Sequence, residues 1–307
     1  KQFDLKAMTG GIQAIINTLE NIKNKKMKKA VIYFIAFVVM NLAVSFGVDG
    51  IYTLIYGKGH EADTTQLLIM SGTASALTVI LFTALRWCPV SRDYIRSRPW
   101  ATFFWTTLLA LGTILPLSWL EGFIPDSLTE DFAGEIITKM LGTTEGYFVI
   151  CMLAPLAEEI VFRGAIIRRL VEWGRAIREK RLDTMGKKGG TALTDRKIEW
   201  VAIIISSLLF ALAHLNPAQV PHAIIVGVLL GWLFVKTGSI VPGFLLHWIN
   251  NSMAYVMLKM FPYMSMDSKL IAYFHGNSTA MYQAIFSSLL IALPALYQLI
   301  IMKRRAW

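Results

Sequence analysis

The chain has 307 residues, of which 55% are hydrophobic and 16% charged, and its mean hydropathy is +0.53. Soluble domains carry about 25% charged residues, so this composition excludes an ordinary soluble protein and indicates a membrane protein. The net charge of +10 does not indicate nucleic-acid binding, because the basic residues cluster between apolar segments instead of following one face. Two cysteines, Cys88 and Cys151, are too few for a disulfide framework.

The N-terminal segment, residues 1–29, is predicted to be a helix that lies on the membrane surface. Between Gly10 and Lys29, five apolar residues recur at helical spacing on one face: Ile12, Ile15, Ile16, Leu19 and Ile22. A basic run follows them. This amphipathic pattern with lysines is typical of an interfacial helix.

Residues 30–305 are predicted to form one all-α, multi-pass transmembrane domain. A helix that crosses a bilayer needs about 20 mostly apolar residues. Eight segments fit this pattern, at about residues 30–55, 65–87, 100–120, 146–170, 199–215, 220–236, 240–258 and 280–302. Between them, the acidic stretch 122–140 is expected to contain a short amphipathic helix. The stretch 175–197 is expected to begin as a helix and to become a Gly/Lys-rich linker.

Lysine and arginine predict the orientation of these eight segments, because cytoplasmic loops of membrane proteins are enriched in both. If the N-terminus lies inside, 25 of the 30 lysines and arginines fall on cytoplasmic segments. Both termini are therefore expected in the cytoplasm. A single membrane with a basic inner face suits the inner (cytoplasmic) membrane of a bacterium.

Few polar side chains interrupt the apolar segments, and they are the candidates for function. A charged residue at the bilayer centre costs at least about 2.5–3.5 kcal/mol on insertion. The polar set comes from the fourth, fifth and seventh segments: Glu158, Glu159, Arg163, His214, His247, Asn250 and Asn251. Asn250 is interpreted as an interhelical hydrogen-bonding residue.

The spacing separates the two adjacent glutamates. Glu159 lies four residues before Arg163 on the same helix face, so these two are predicted to form an ion pair that orients the helix. Glu158 is turned by about 100° from Glu159 and has no cation on its own face. A carboxylate without a partner in apolar surroundings is a candidate general base.

Three short motifs follow one another within the apolar segments. They are E-E-x-x-x-R at Glu158–Arg163, F-x-x-x-H at Phe210–His214 and H-x-x-x-N at His247–Asn251. In this order they resemble the CAAX-protease and bacteriocin-processing (CPBP) family of intramembrane proteases, also called the abortive-infection family. The resemblance covers about residues 146–258 by motif. It implies an endopeptidase whose active site lies inside the membrane and whose substrate is a membrane-bound, often prenylated, protein or peptide.

The resemblance also implies roles for four residues. Glu158 and His214 would activate the attacking water, and His247 and Asn251 would stabilise the oxyanion. Peptide hydrolysis needs groups of this kind, since it requires a base, an acid for the leaving amine and donors for the oxyanion. Three further motif residues are expected to orient them: Glu159, Arg163 and Phe210.

A metal site is an open alternative. Glu158, His214 and His247 could form a Glu-His₂ set for zinc with a vacant fourth position. Ligands of such sites often come from one short helical motif, whereas these three come from separate helices. Asn251, on the face of His247, suits an oxyanion role better than a metal shell. A metal-free glutamate mechanism is therefore preferred.

Other functions compete with proteolysis. Cys151 or Ser252 could act as a nucleophile, but neither has a base four residues away. Buried Glu, His and Arg also build the proton relays of transporters and channels, although the internal repeat typical of transporters is not found in this sequence. A non-catalytic membrane scaffold would use the same residues as interhelical contacts. The expected partners are the lipid bilayer and a membrane-bound or lipidated substrate, without nucleic acid.

Overall fold

The structure, a computed structural model, describes residues 25–89, 92–124, 132–191, 193–214, 219–264 and 268–304. Within these ranges all regular structure is helical and no strand occurs. The predicted all-α fold is therefore confirmed. Residues 1–24, which hold most of the predicted interfacial helix, lie outside the described residues.

The first part of the chain forms separate helices. They are α1 (Lys25–Tyr56), α2 (Thr64–Ala84), the short α3 (Asp93–Arg96), α4 (Trp100–Glu121) and α5 (Phe132–Leu141). The last of these corresponds to the amphipathic helix expected within residues 122–140.

The middle of the chain is one helical stretch that changes its winding. It contains α6 (Thr144–Gly146), the π-helical segment π1 (Tyr147–Leu153), α7 (Ala154–Glu158), a second π-helical segment π2 (Glu159–Ile167) and α8 (Arg168–Thr191).

The last part of the chain contains α9 (Asp195–Ala213), α10 (Val220–Thr237), α11 (Val241–Met260), α12 (Leu270–Tyr273) and α13 (Ser278–Ile301). Side-chain caps define three of the helix starts in the chain. Asp63, Thr194 and Asn277 each accept a hydrogen bond from the main-chain N–H three residues further on, at the starts of α2, α9 and α13.

Five of the described helices are long and apolar enough to cross a membrane: α1, α2, α4, α10 and α13. The three other predicted segments also coincide with helices, but they carry the charged and polar side chains. A multi-pass helical membrane fold is thus confirmed. That the three polar helices also cross, to make eight, stays a prediction.

The fourth predicted segment departs from the expected single α-helix. Pro155 gives a physical reason for the change, because proline has no N–H for the carbonyl four residues earlier and its ring crowds that carbonyl. The wider turns of π1 immediately precede it, and the N–H of Ala154 bonds to Val149 O, five residues earlier. Stretches of π-helix are uncommon and often mark functional sites.

The expected linker within residues 175–197 is wrong over most of its length. The α8 helix continues from Arg168 to Thr191. Arginine, lysine, glutamate, leucine and methionine are good helix formers, and in this stretch they outweigh the glycines on which the linker prediction rested.

The π2 segment lies at the centre of the fold, and all nine of its residues are buried. On one side, the rings of Phe34 and Phe37 of α1 meet the ring of Phe162 edge-on, with centroids 6.3 and 5.5 Å away. On the other side, the hydroxyl of Ser206 in α9 donates to the main-chain oxygen of Phe162 at 3.0 Å. Helices on both sides therefore fix the segment that carries Glu159 and Arg163.

Glycine allows a close contact between the main chains of α4 and α13. A Cβ atom at Gly112 would lie 2.6 Å from the main-chain nitrogen of Ala292. The hydroxyl of Ser288 also donates to Gly112 O at 2.8 Å. Small residues permit this backbone approach in membrane helices, where dispersion contacts and interhelical hydrogen bonds drive association.

We expect Gly112→Ala to lower the thermal unfolding midpoint of the purified protein, because the new methyl group must push α13 away. Gly47→Ala is the matched control. Gly47 also lies inside a helix, but no atom outside its own helix lies within 4 Å of an added Cβ. The control should be neutral or stabilising by up to about 1 kcal/mol. Equal effects of the two substitutions would contradict the close contact.

Candidate active site

The two adjacent glutamates lie at the junction of α7 and π2 and differ in exposure. Glu158 ends α7, and Glu159 begins π2. The side chain of Glu158 is 22% exposed, whereas that of Glu159 is 0% exposed. One carboxylate therefore reaches open space and its neighbour is sealed inside the bundle.

Arg163 compensates the buried carboxylate. Its Nη1 lies 2.9 Å from Glu159 Oε1, and neither side chain is exposed. Its Nη2 donates to the main-chain oxygen of Gly227 in α10 at 3.2 Å. The guanidinium carbon also lies 4.4 Å from the centre of the Phe210 ring, at cation–π distance. The ion pair thus ties π2 to α9 and α10 as well as orienting its own helix.

His247 of α11 lies between the two glutamates. Its Nδ1 is 3.3 Å from Glu159 Oε1 and forms a hydrogen bond there. Its Nε2 is 3.6 Å from Glu158 Oε2, which is contact beyond hydrogen-bond length. The predicted ion pair between Glu159 and Arg163 is present in the structure. Glu159 also holds an imidazole from another helix, a contact that the sequence did not indicate.

The second oxygen of Glu159 faces the start of α11. A Cβ atom at Gly243 would lie 2.8 Å from Glu159 Oε2. Among the described residues this oxygen has no hydrogen-bond partner. The first turn of a helix is nevertheless a favourable place for a carboxylate, because the helix dipole is positive there. Gly243 was not among the predicted site residues, although a glycine four residues before a motif histidine was a readable signal.

Phe210 separates the two histidines. Its ring centroid is 4.7 Å from that of His214 and 5.8 Å from that of His247. His214, directly after α9, has its Nδ1 2.8 Å from the main-chain oxygen of Phe210. In the part of the chain that the structure describes, no hydrogen bond or ion pair joins His214 to Glu158. That both residues act on the attacking water stays a prediction.

Asn251 is held by the main chain of π1. Its Nδ2 donates to Ile150 O at 3.1 Å, and no hydrogen bond to Glu158 or His247 is found within the described ranges. The winding of π1 explains the contact. The N–H of Ala154 serves Val149 O, so the next donor in the same spacing would be that of Pro155, which has none. Ile150 O is thereby available to the Asn251 amide.

Further hydrogen bonds fasten α11 to π1. Trp248 Nε1 donates to the hydroxyl of Tyr147 at 3.1 Å, and this hydroxyl lies 3.2 Å from Ser252 Oγ. The thiol of Cys151 lies 3.4 Å from the main-chain oxygen of Asn251. Sequence spacing could not indicate these contacts, because they join positions about one hundred residues apart.

Asn250 forms part of a separate polar cluster. Its Nδ2 is 3.4 Å from His222 Nε2 on α10. The other ring nitrogen of His222 lies 2.6 Å from Glu121 Oε1, at the end of α4. These contacts agree with the interhelical role interpreted for Asn250 and keep it apart from His247.

The positions of the His, Cys, Asp and Glu side chains bear on the alternative of a metal site. Among the described residues, no three His, Cys, Asp or Glu side chains are grouped so that they could hold a metal ion. Glu158 and His247 are neighbours, but His214 does not join them. The Glu-His₂ set considered from the sequence is therefore not assembled among the described residues.

Comparison with known proteins finds a family to which part of the chain is similar. Residues 142–253 match the family model described as type II CAAX prenyl endopeptidase Rce1-like. No curated protein and no solved structure matches the chain. The matched segment contains all three motifs, in the order in which the sequence presents them. Residues 142–253 are therefore similar to the Rce1-like type II CAAX prenyl endopeptidase family, which confirms the predicted resemblance.

Proposed function

We propose that this protein hydrolyses a peptide bond in a membrane-bound, lipid-modified protein or peptide, and that Glu158 is the base that activates the water. The family match supports an intramembrane endopeptidase in general. The observation that carries the finer proposal is the contrast between the two glutamates. Glu158 is partly exposed beside His247, while Glu159 is sealed and paired with Arg163.

Glu158 is suited to accept a proton. A general base must reach the water that it activates, and only Glu158 of the pair has an exposed side chain. Its carboxylate would take one proton from the water as oxygen attacks the carbonyl carbon. As the oxyanion collapses and the C–N bond breaks, it would return that proton to the amine nitrogen, which leaves Glu158 as a carboxylate again.

The hydrogen bonds of the two histidines indicate their tautomers. The carboxylate of Glu159 accepts, so Nδ1 of His247 carries a proton and Nε2 points towards Glu158. The main-chain oxygen of Phe210 likewise accepts from Nδ1 of His214. Nε2 of neutral His214 is then a lone-pair acceptor, so it can accept a hydrogen bond that orients the water that Glu158 deprotonates. Nε2 of His247 donates to an oxyanion only when its ring carries both protons.

Asn251 is proposed to donate to the oxyanion. A side-chain amide nitrogen carries two N–H groups, and Ile150 O accepts from one of them. This bond fixes the plane of the amide, so the second N–H has a defined direction. A donor that is fixed before the reaction stabilises developing charge without a cost of reorganisation.

The proposed substrate is a prenylated or otherwise lipid-modified protein or peptide. The site is carried by apolar helices, so its substrate must approach from the membrane or its surface. The family description names prenyl endopeptidases, and a lipid chain would place the scissile bond at that surface.

We further propose that both termini face the cytoplasm of a bacterial cell, because the lysines and arginines concentrate on one set of loops. A cysteine introduced at Ser268, in a loop with few basic residues, should react with an impermeant maleimide from outside intact cells. Labelling only after lysis would show that this loop faces the cytoplasm and would contradict the proposed orientation.

Glu158→Gln should abolish cleavage while leaving the fold intact. Removal of a general base lowers the rate by about 10²–10⁴-fold. The assay uses purified protein in nanodiscs and a fluorogenic peptide with a farnesylated C-terminal CAAX sequence. Glu135→Gln is the matched control, since Glu135 is 63% exposed and pairs with Lys139 on α5. Retention of wild-type cleavage by Glu158→Gln would refute its role. Cleavage of the unprenylated peptide at the same rate would refute the proposed substrate class.

Pro155→Ala should lower kcat by misplacing Asn251. The new N–H at position 155 can bond to Ile150 O and displace the Asn251 amide. A small misplacement of a catalytic group can cost up to about 10²-fold. The test is a double-mutant cycle, in which Asn251→Ala should add little to the loss already present in Pro155→Ala. Losses that multiply would show that the two residues act independently.

We propose a metal-free reaction, supported by the separation of His214 from Glu158 and His247. Incubation with EDTA or 1,10-phenanthroline, followed by desalting, should leave kcat for the farnesylated peptide unchanged. Loss of activity that returns on addition of zinc would contradict this proposal.

A further inference from the structure

A cavity with a basic lining lies at the N-terminal end of α4, the end opposite Glu121. Its volume is about 350 Å³, and it opens where α4 begins and where α10 and α13 end. Four basic side chains line it: Arg98, Lys236, Lys303 and Arg304. Leu233 and Leu299 form part of its apolar wall. None of these residues belongs to the site described above.

The positive charge of this cavity is not balanced within the described part of the chain. Glu199 of α9 pairs with Arg304. Lys236 donates from Nζ to the main-chain oxygen of Ile300 at 2.8 Å, which leaves its charge uncompensated. Among the described residues, no carboxylate forms an ion pair with Arg98, Lys236 or Lys303. Like charges that converge without a counter-ion repel one another, and an anion would relieve this repulsion.

The position of the cavity indicates which anion it meets. The helices α4, α10 and α13 are all long and apolar enough to cross a membrane, so their ends lie near the level of the lipid headgroups. Trp100, two residues after Arg98, is 70% exposed at the same level. Tryptophan is enriched at this interface. Basic pockets between membrane helices are suited to anionic headgroups.

We propose that this cavity binds the phosphate of an anionic phospholipid. The four basic side chains would surround the headgroup, and the buried Leu233 and Leu299 would form the apolar floor beneath it. Glycerol phospholipids with a net negative charge fit this lining. Zwitterionic lipids fit it less well, because their cationic group would face the arginines and lysines.

The test measures lipid binding directly, by native mass spectrometry of the full chain in detergent. The probes are dioctanoyl phosphatidylglycerol, dioctanoyl phosphatidylcholine and inorganic phosphate. The variant carries Arg98→Gln together with Lys303→Gln, because both side chains are exposed and neither is part of the catalytic site. The control carries Lys58→Gln together with Lys139→Gln, which removes the same charge elsewhere.

We expect wild type to bind phosphatidylglycerol at least tenfold more tightly than phosphatidylcholine, and the cavity variant to lose most of this preference. The control should change affinity by less than twofold. An equal loss in the control would overturn the proposal, because it would indicate attraction by net charge alone. Displacement of the lipid by inorganic phosphate at equal concentration would also overturn it, because the ligand would then be free phosphate.

Discussion

The buried ion pair between Arg163 and Glu159 is the constraint on which the site depends. Both side chains are fully buried, and an unpaired charge in such a place would destabilise the fold by about 3–5 kcal/mol. Each charge compensates the other. Arg163 also donates to Gly227 O in α10, and Glu159 accepts from His247 in α11. Three helices are thus held in one geometry by charges that face neither water nor lipid.

That geometry gives neighbouring residues of the same type different chemistry. Glu159 acts within the fold, because it fixes the tautomer and the direction of His247. Glu158 has the same functional group but turns to a partly open side, where its contact with His247 exceeds hydrogen-bond length. The π-helical segments on either side of α7 also bring Ile150 O to Asn251. Glu159 fixes the imidazole of His247, and the adjacent Glu158 is thereby placed beside that imidazole as the proposed base.

Hydropathy alone located the helices, and spacing alone located the ion pair. Glu159 and Arg163 are four residues apart, so their contact needed no knowledge of other helices. The contacts of His247 with both glutamates could not be derived from the sequence, since they depend on how α11 packs against π2. The same holds for Asn251, whose partner is a main-chain oxygen of π1. The π-helical winding of π1 depends on Pro155 and on the packing around it. The periodicity of apolar residues does not predict such winding. The linker expected in the later part of residues 175–197 is wrong for a different reason, because the helix-forming neighbours of its glycines continue α8 to Thr191.

The most direct test of the division between the two glutamates compares the thermal unfolding of Glu158→Gln and Glu159→Gln in the same nanodiscs. The substitutions have the same size and remove the same charge, one residue apart. The account predicts that Glu158→Gln unfolds within about 1 °C of wild type, because the loss of this partly exposed carboxylate leaves the buried pair intact. Glu159→Gln should unfold at a clearly lower temperature, because it leaves Arg163 without its buried partner. Equal unfolding midpoints for the two variants would contradict the account.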